Sequence, residues 1–326
     1  MKTTSLEKTM HAAAIDNFGG IDALKMQTLP VPKVAPDEIL IRVESAGVGA
    51  WDPWEREGEF AKLFGTKPKF PYVIGTEGAG TVAAVGEQVN RFKEGDRVYA
   101  VRRVESARGG FYAEYAEVKA DYAAHVPRQL STEQAGVVLA DALTGLRGLD
   151  DVLRLKPGES VMIFGASGGI GHMAVQLAKR IGARVFAVAS GDDGVALAKR
   201  LGADAVVDGR KEDIAAAARK FAPQGLDAAL VTAGGEAAEK ALTAVREGGR
   251  VAYPNGVEPV PKARPGVKAT AYDGEPDREA IEKLNRLIEA GPFEAHVART
   301  FSLAQAADAH RALDQHYLGK LALRPR

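Results

Sequence analysis

Gly168, Gly169 and Gly171 stand between a short apolar run, residues 161–164, and apolar positions at helical spacing, Ile170, Ala174, Leu177 and Ala178. The stretch reads as strand, turn and helix, and its chemistry is phosphate binding. A tight turn and close backbone approach exclude side chains, while a helix N-terminus offers unpaired N–H groups and the positive end of its dipole. Ala166 takes the first position of the G-x-G-x-x-G spacing, so Ala166, Ser167, Gly168, Gly169, Ile170 and Gly171 are the expected pyrophosphate contacts. A motif of this kind also arises by chance, and its surroundings must decide.

Other side chains with chemical potential are few. Tyr112, after Gly109 and Gly110, and Tyr72 can donate protons, although a tyrosine at a strand edge more often packs with its hydroxyl in water. Trp51, Trp54 and Phe60 form an aromatic concentration able to stack on a flat acceptor or simply to pack under a loop. His172, in the first turn after Gly171, is expected to face solvent or the cofactor edge. The six histidines are scattered without ligand spacing, and with no cysteine at all there is no disulfide, thiolate zinc site or thiol nucleophile.

Composition narrows the partners. The 43 acidic and 43 basic residues balance, which removes any general attraction to nucleic acid or an anionic membrane and leaves a small molecule as the expected partner. No apolar run approaches the roughly 18 residues of a membrane span. Residues 1–10 lack the apolar centre of a signal peptide, so a cytoplasmic protein is expected.

The elements that must position these residues fall into two kinds. Short strands at 12–15, 39–43, 81–85, 97–101 and 112–118, separated by Gly turns and Pro punctuation, predict a compact β unit. Ser131 with Gln134 forms a capping box that opens a helical pattern. Strands at 161–164, 184–189, 205–207, 228–231 and 250–253 then alternate with helices near 170–181, 194–201, 211–220 and 236–246, the pattern of a doubly wound parallel sheet. The Pro-rich segment 254–265 is expected to return the chain to the first domain, which a helix at 277–289, another opened by Ser302 with Gln305, and a strand at 320–324 complete. The predicted class is α/β. A β domain of residues 1–129 and 270–326 is interrupted by a dinucleotide-binding domain of 130–269.

Several ordered stretches together resemble the medium-chain dehydrogenase/reductase superfamily, in particular its zinc-free quinone oxidoreductase branch. They are Val48-Gly-Ala-Trp-Asp52, Gly75-Thr-Glu-Gly-Ala-Gly80, Phe92-Lys-Glu-Gly-Asp-Arg-Val98, Leu143-Thr144, Leu155-Lys-Pro-Gly-Glu159, residues 165–171, Arg246-Glu-Gly-Gly-Arg250 and Gly319-Lys-Leu-Ala-Leu-Arg-Pro325. The resemblance implies a Rossmann domain inserted in a GroES-like β-barrel domain, with the active site in the cleft between them, and a homodimer formed through a Rossmann edge strand. The positions of the three zinc ligands in related alcohol dehydrogenases look like Gly49, Thr76 and Ala140, a set without the donors that zinc requires, so no metal is expected.

The resemblance also implies site residues. Thr144 looks like a residue beside the nicotinamide, or else its hydroxyl bonds back to its own helix. Asp52 matches an aspartate frequent in the branch, but its companion asparagine is Gly49 here, and Asp52 serves catalysis or orients its loop. Tyr112 completes the catalytic candidates. The second strand of the α/β domain ends at Ala189-Ser190 without the acid that bonds an NAD ribose. NADPH is therefore the expected cofactor, with the Ser190 hydroxyl and Arg210 on its 2′-phosphate. Asp192 and Asp193 weigh against this, and the alternative is that Ser190 only ends a strand while Arg210 is a solvated charge. Without a metal to polarise a carbonyl, an already electrophilic quinone or enone is the expected acceptor. A ketone or aldehyde reductase of the same fold and a non-catalytic NADPH-binding protein are the alternatives. The tyrosine that acts as proton donor in related enoyl-thioester reductases would fall near Phe60, against that activity.

Overall fold

The computed structural model describes residues 7–106, 108 and 110–325. Gly109 and the first six residues, which entered the sequence reading, lie outside that set. The chain forms two compact units, one of Met1–Ala140, Pro276–Asn285 and Val297–Arg326, the other of Asp141–Glu275 and Arg286–His296. The changeovers at 140/141 and 275/276 compare with sequence-based boundaries at 129/130 and 269/270. No helix among the described residues is long and apolar enough to cross a membrane.

The first unit is mostly β. Its elements are β1 (Thr9–Ile15), β2 (Lys25–Pro30), β3 (Glu38–Val48), α1 (Asp52–Glu57), α2 (Glu59–Phe64), β4 (Tyr72–Val73), β5 (Glu77–Val85), β6 (Arg97–Val101), β7 (Tyr115–Lys119), β8 (Ala123–His125) and α3 (Thr132–Ala135). Strands β1, β2 and β4 form a small antiparallel sheet, and β3 is the hub of a larger one, pairing with β5 and β7. Ile39, Leu40, Ile41 and Val43 of this central strand are all fully buried, while Arg42 and Glu44, two apart on the same face, are less buried. The capping box holds, with Gln134 N donating to Ser131 Oγ at 3.1 Å, but it opens only the short α3.

The second unit is a six-stranded parallel sheet. After α4 (Leu139–Arg147) come β9 (Ser160–Phe164), α5 (Gly169–Ile181), β10 (Arg184–Ala189), α6 (Gly191–Arg200), β11 (Ala205–Asp208), α7 (Ile214–Phe221), β12 (Leu226–Val231), α8 (Glu236–Leu242), β13 (Val245–Pro254) and β14 (Lys268–Tyr272). The strand order β11-β10-β9-β12-β13-β14 is that of a Rossmann domain, with its switch point between β9 and β12. Both faces are covered, so the central strands are mostly apolar, as in β9 where all five residues are buried and only Ser160 is polar. One expectation fails here. The Pro-rich stretch after Pro254 does not return the chain to the first unit; it is a helix-free crossover to β14, which pairs in parallel with β13. An edge strand with mostly exposed residues, Lys-Ala-Thr-Ala-Tyr, has only alanine at its alternate positions and no larger apolar residue before Tyr272 to betray it.

The chain ends with α9 (Arg278–Glu289), β15 (Val297–Ser302), α10 (Ala306–Ala312) and β16 (Lys320–Arg324), the last pairing with β3.

Candidate active site

In the second unit, the turn between β9 and α5 is built from glycines with separate tasks. Gly165 has φ +86°, and a Cβ there would meet the Thr232 hydroxyl, which itself donates to Phe164 O at 2.8 Å and closes the switch point. A Cβ on Gly171 would sit on the Gly165 carbonyl, so that glycine serves close packing of helix on turn. Gly168 differs. The nearest atom to its Cβ would be Gly165 O at an ordinary 3.5 Å, so nothing in the protein excludes a side chain there. Gly168 is also the N-cap of the 13-residue α5 and supplies no capping side chain. The N–H groups of Gly169, Ile170 and Gly171 thus head a long helix beside open space, the donor set and room that a pyrophosphate requires. Ala166 is buried, tied by its N–H to Val188 O at 2.9 Å, and Ser167 packs beside Gly194 at the start of α6.

Ser190 and Arg210 leave the sheet at the same edge. Ala189 pairs with Asp208 in register, and Gly209 N donates to Ala189 O at 2.8 Å, which puts Ser190 and Arg210 just beyond adjacent strand ends. Among the described residues neither side chain has a hydrogen-bond partner, and Arg210 is exposed. An acid that the sequence reading passed over lies between them. Asp208 Oδ1 accepts from Arg210 N at 3.0 Å and Gly191 N at 3.3 Å. The Arg210 N–H holds the Asp208 carboxyl below its ordinary range, with help from Gly191 and Lys211. Asp192 is paired with Lys211 at 2.7 Å. Thr144, on α4 and half-buried, has its hydroxyl against Gly274, where any Cβ would collide with it, and its carbonyl accepts from Tyr272 at 2.9 Å.

In the first unit, α1 is inverted: three of its four charged residues, Asp52, Glu55 and Arg56, are buried, Glu57 faces out, and Trp54 is 42% exposed. Spacing of three and four puts those charges on one face of the helix. Each meets a different partner. Glu55 pairs with the buried Arg102 and accepts from Tyr72 at 2.6 Å, while Arg102 Nε holds Gly75 O at 2.9 Å. Arg56 bonds His310 Nδ1 at 2.7 Å, and His310 Nε2 lies 3.1 Å from the Tyr112 hydroxyl. Asp52 accepts from Tyr112 at 2.7 Å and from Gly49 N at 2.8 Å. Burial, then the neighbouring Glu55, pushes the Asp52 carboxyl up to about 7. Burial, then Arg56, pushes His310 down to about 3. Tyr112 is raised by burial and by Asp52.

The positions that match zinc ligands in related dehydrogenases do not fit a metal. A Cβ on Gly49 would lie 2.6 Å from the Trp51 ring, whose indole N–H donates to Thr76 Oγ1 at 2.9 Å. Lys320 Nζ stands 5.2 Å from the centre of that ring and 3.0 Å from Glu77, and Glu77 in turn accepts from Ala140 N at 2.8 Å. An indole fills the place, and the donor set offers one hydroxyl where zinc takes three N, S or O ligands. Among the described residues no group of three or more His, Cys, Asp or Glu converges to hold a metal.

The structure therefore joins Asp52 and Tyr112 directly, both fully buried, and places the turn residues, Ser190, Arg210 and Thr144 in the other unit. Trp51 turns inward, apart from the Trp54–Phe60 pair, whose rings meet edge to face at 6.2 Å. Tyr72 is committed to Glu55. His172 does not face solvent; it is fully buried. Sequence reasoning missed Arg56, Glu55 and His310, although four charges packed into one six-residue helix, three of them at spacings of three and four, were a visible signal of an inward polar face.

Residues 35–128 match the family described as alcohol dehydrogenase GroES-like domain, and residues 169–259 the one described as zinc-binding dehydrogenase. The chain is similar to the quinone oxidoreductase of Lama guanicoe, 29% identical with 94% of each chain covered. It is 30% identical to the chloroplastic NADPH-dependent alkenal/one oxidoreductase of Arabidopsis thaliana, over 98% of this chain and 81% of that one. The solved quinone oxidoreductase from Coxiella burnetii matches with a TM-score of 0.82 at 26% identity, covering 98% of this chain and 100% of its own. With a GroES-like β domain, an inserted Rossmann domain and these relatives, the chain belongs to the quinone oxidoreductase branch of the medium-chain dehydrogenase/reductase superfamily, a family of oxidoreductases with a nicotinamide-cofactor domain.

Proposed function

We propose that the protein is a zinc-independent, NADPH-dependent reductase of quinones or α,β-unsaturated carbonyls. The observation that carries this reading is the indole at Gly49. Where a Lewis acid would polarise a carbonyl, Trp51 and Thr76 occupy the place, and an acceptor must bring its own electrophilicity. Quinones and enones do so. The names of the relatives point to the same acceptors.

Bound NADPH supplies hydride from its nicotinamide. The chain's own residues bind and orient. The N–H groups at the head of α5 take the pyrophosphate, and the unpartnered Ser190 hydroxyl and Arg210 guanidinium take the 2′-phosphate. Asp208 keeps its negative charge but spends it on two backbone N–H groups and on Lys211, 3.6 Å away, and Asp192 pairs with the same Lys211, so neither acid ties up the Arg210 guanidinium. Thr144 is fixed by Gly274 and Tyr272 for a place beside the nicotinamide. In the first unit the buried Asp52 and Tyr112 act by holding the Gly49–Trp51–Thr76 arrangement in shape. A homodimer formed through the exposed β14 edge completes the reading.

One assay tests it: a panel of quinones, enones, aldehydes and ketones with NADPH and NADH, on protein dialysed against a chelator. We expect turnover of quinones or enones with NADPH, undiminished by the chelator. Ser190→Asp should lower the NADPH/NADH ratio of kcat/KM at least tenfold; an unchanged ratio refutes the cofactor assignment. Turnover of aldehydes and ketones alone, or loss of activity with the chelator, refutes the acceptor class.

A further inference from the structure

We propose that His172 is a positioning residue of the nucleotide turn, its Nδ1–H drawing the Gly168 carbonyl back toward α5 so that the turn presents only N–H groups to the cofactor. The inference rests on the nucleotide-binding reading of the second unit.

His172 is fully buried, and both its ring nitrogens are engaged. Nδ1 lies 2.8 Å from Gly168 O, and Nε2 receives the His296 backbone N–H at 3.2 Å. A carbonyl oxygen can only accept and a backbone N–H can only donate. The two bonds together therefore demand the neutral imidazole with its proton on Nδ1. Gly168 O also accepts the His172 backbone N–H at 3.1 Å, so one residue donates twice to one oxygen.

The position of that oxygen matters. Gly168 is the N-cap of α5 and has no side chain with which to lock the turn, and any carbonyl lone pair turned toward a phosphate would repel it. His172 locks the turn from inside the helix. One helical turn later Gln176 holds the segment behind the imidazole, accepting from Glu294 N at 2.8 Å and donating to Glu294 O at 2.8 Å. That segment ends at His296, whose N–H fixes the tautomer. Nothing in this arrangement touches the cofactor directly; it acts through Gly168.

Amide side chains separate the two ring nitrogens, because asparagine can place a donating N–H near the Nδ1 position and glutamine an accepting oxygen near Nε2. NADPH affinity would be measured from the fluorescence of the bound nucleotide for wild type, His172→Asn, His172→Gln and His172→Leu, with melting temperatures taken without nucleotide. We expect His172→Asn to stay within about threefold of wild type and His172→Gln and His172→Leu to weaken NADPH about tenfold, the worth of one hydrogen bond near 1.4 kcal/mol. Equal affinity in all four proteins, or a loss that follows the melting temperature equally in the Asn and Gln variants, overturns the proposal. Nitrogen NMR of the wild-type imidazole gives a second measurement that needs no variant: a protonated Nδ1 supports it, and a protonated Nε2 overturns it. Wild-type protein that binds neither NADPH nor NADH defeats the underlying nucleotide reading as well, whereas tight wild-type binding with indifferent variants defeats only the role of His172.

Discussion

The Tyr112 phenol donates to Asp52 Oδ2 across 2.7 Å, and the direction of that bond is set from the far end of a chain of side chains. Arg56 can only donate, so His310 Nδ1 accepts from it and the imidazole proton must sit on Nε2. Nε2–H then points at the Tyr112 oxygen, 3.1 Å away, which leaves the phenolic proton for Asp52. Arg56, His310, Tyr112 and Asp52 form a one-way series from a buried cation to a buried acid. The far end, Asp52, holds Gly49 N and so the start of α1.

Tyr112→Phe should expose how much this series matters. It removes the Asp52 partner and strands the His310 Nε2–H in a buried place, so a loss of about 1–3 kcal/mol is expected in denaturant unfolding. His310→Ala added to it should cost much less than it does alone, because both changes break one series. Full additivity of the two losses would show that the residues act separately.

The same residues give the protein a pH signature. Asp52 titrates near 3.8 in an unfolded chain and about 7 here. Its folded form thus favours the proton, which stabilises below 3.8, and that contribution is lost as pH rises through 7. His310 runs the other way: held at about 3, it contributes above 6.5 and loses that contribution as pH falls toward 3. Asp52→Asn isolates the first effect. Its stability relative to wild type should climb between pH 4 and pH 8 by at most about 4 kcal/mol, and a flat difference would mean that Asp52 is not raised.

Arg210 offers a sharper view of the cofactor than Ser190. Its guanidinium is unpartnered, so Arg210→Ala should leave the melting temperature of the free protein within a degree or two while raising the KM for NADPH about tenfold and that for NADH little. An equal change for both nucleotides would place Arg210 away from the 2′-phosphate.

The sequence made the parallel sheet readable because β9, β10 and β12 are buried along almost their whole length and spell short apolar runs between helices. It hid β14, whose exposed edge needs no pattern. The glycine turn was legible as a whole, yet Gly168 and Gly171 read alike in the text and differ only once Gly165 O is located. His172 and Asp52 were misjudged or left open for one reason: a polar side chain beside a glycine or a tryptophan looks exposed until its distant partners, Gly168 O and His296 N for one, Tyr112 for the other, are in place. Long-range polar pairing has no period for a sequence to display.

The two glycines yield the most separable prediction. A methyl group at Gly171 must displace the Gly165 carbonyl, which is backbone at the switch point and has nowhere to move, so Gly171→Ala should destabilise the second unit by several kcal/mol and fail to accumulate as folded protein. A methyl group at Gly168 meets only an ordinary 3.5 Å neighbour, and its backbone, at φ −84° and ψ −176°, is open to alanine. Gly168→Ala should therefore fold with an unchanged melting temperature while projecting its methyl into the space meant for pyrophosphate, weakening NADPH and NADH alike. Calorimetric titration of the folded Gly168→Ala protein decides the matter: wild-type affinity for both nucleotides would mean that the pyrophosphate lies elsewhere along the turn.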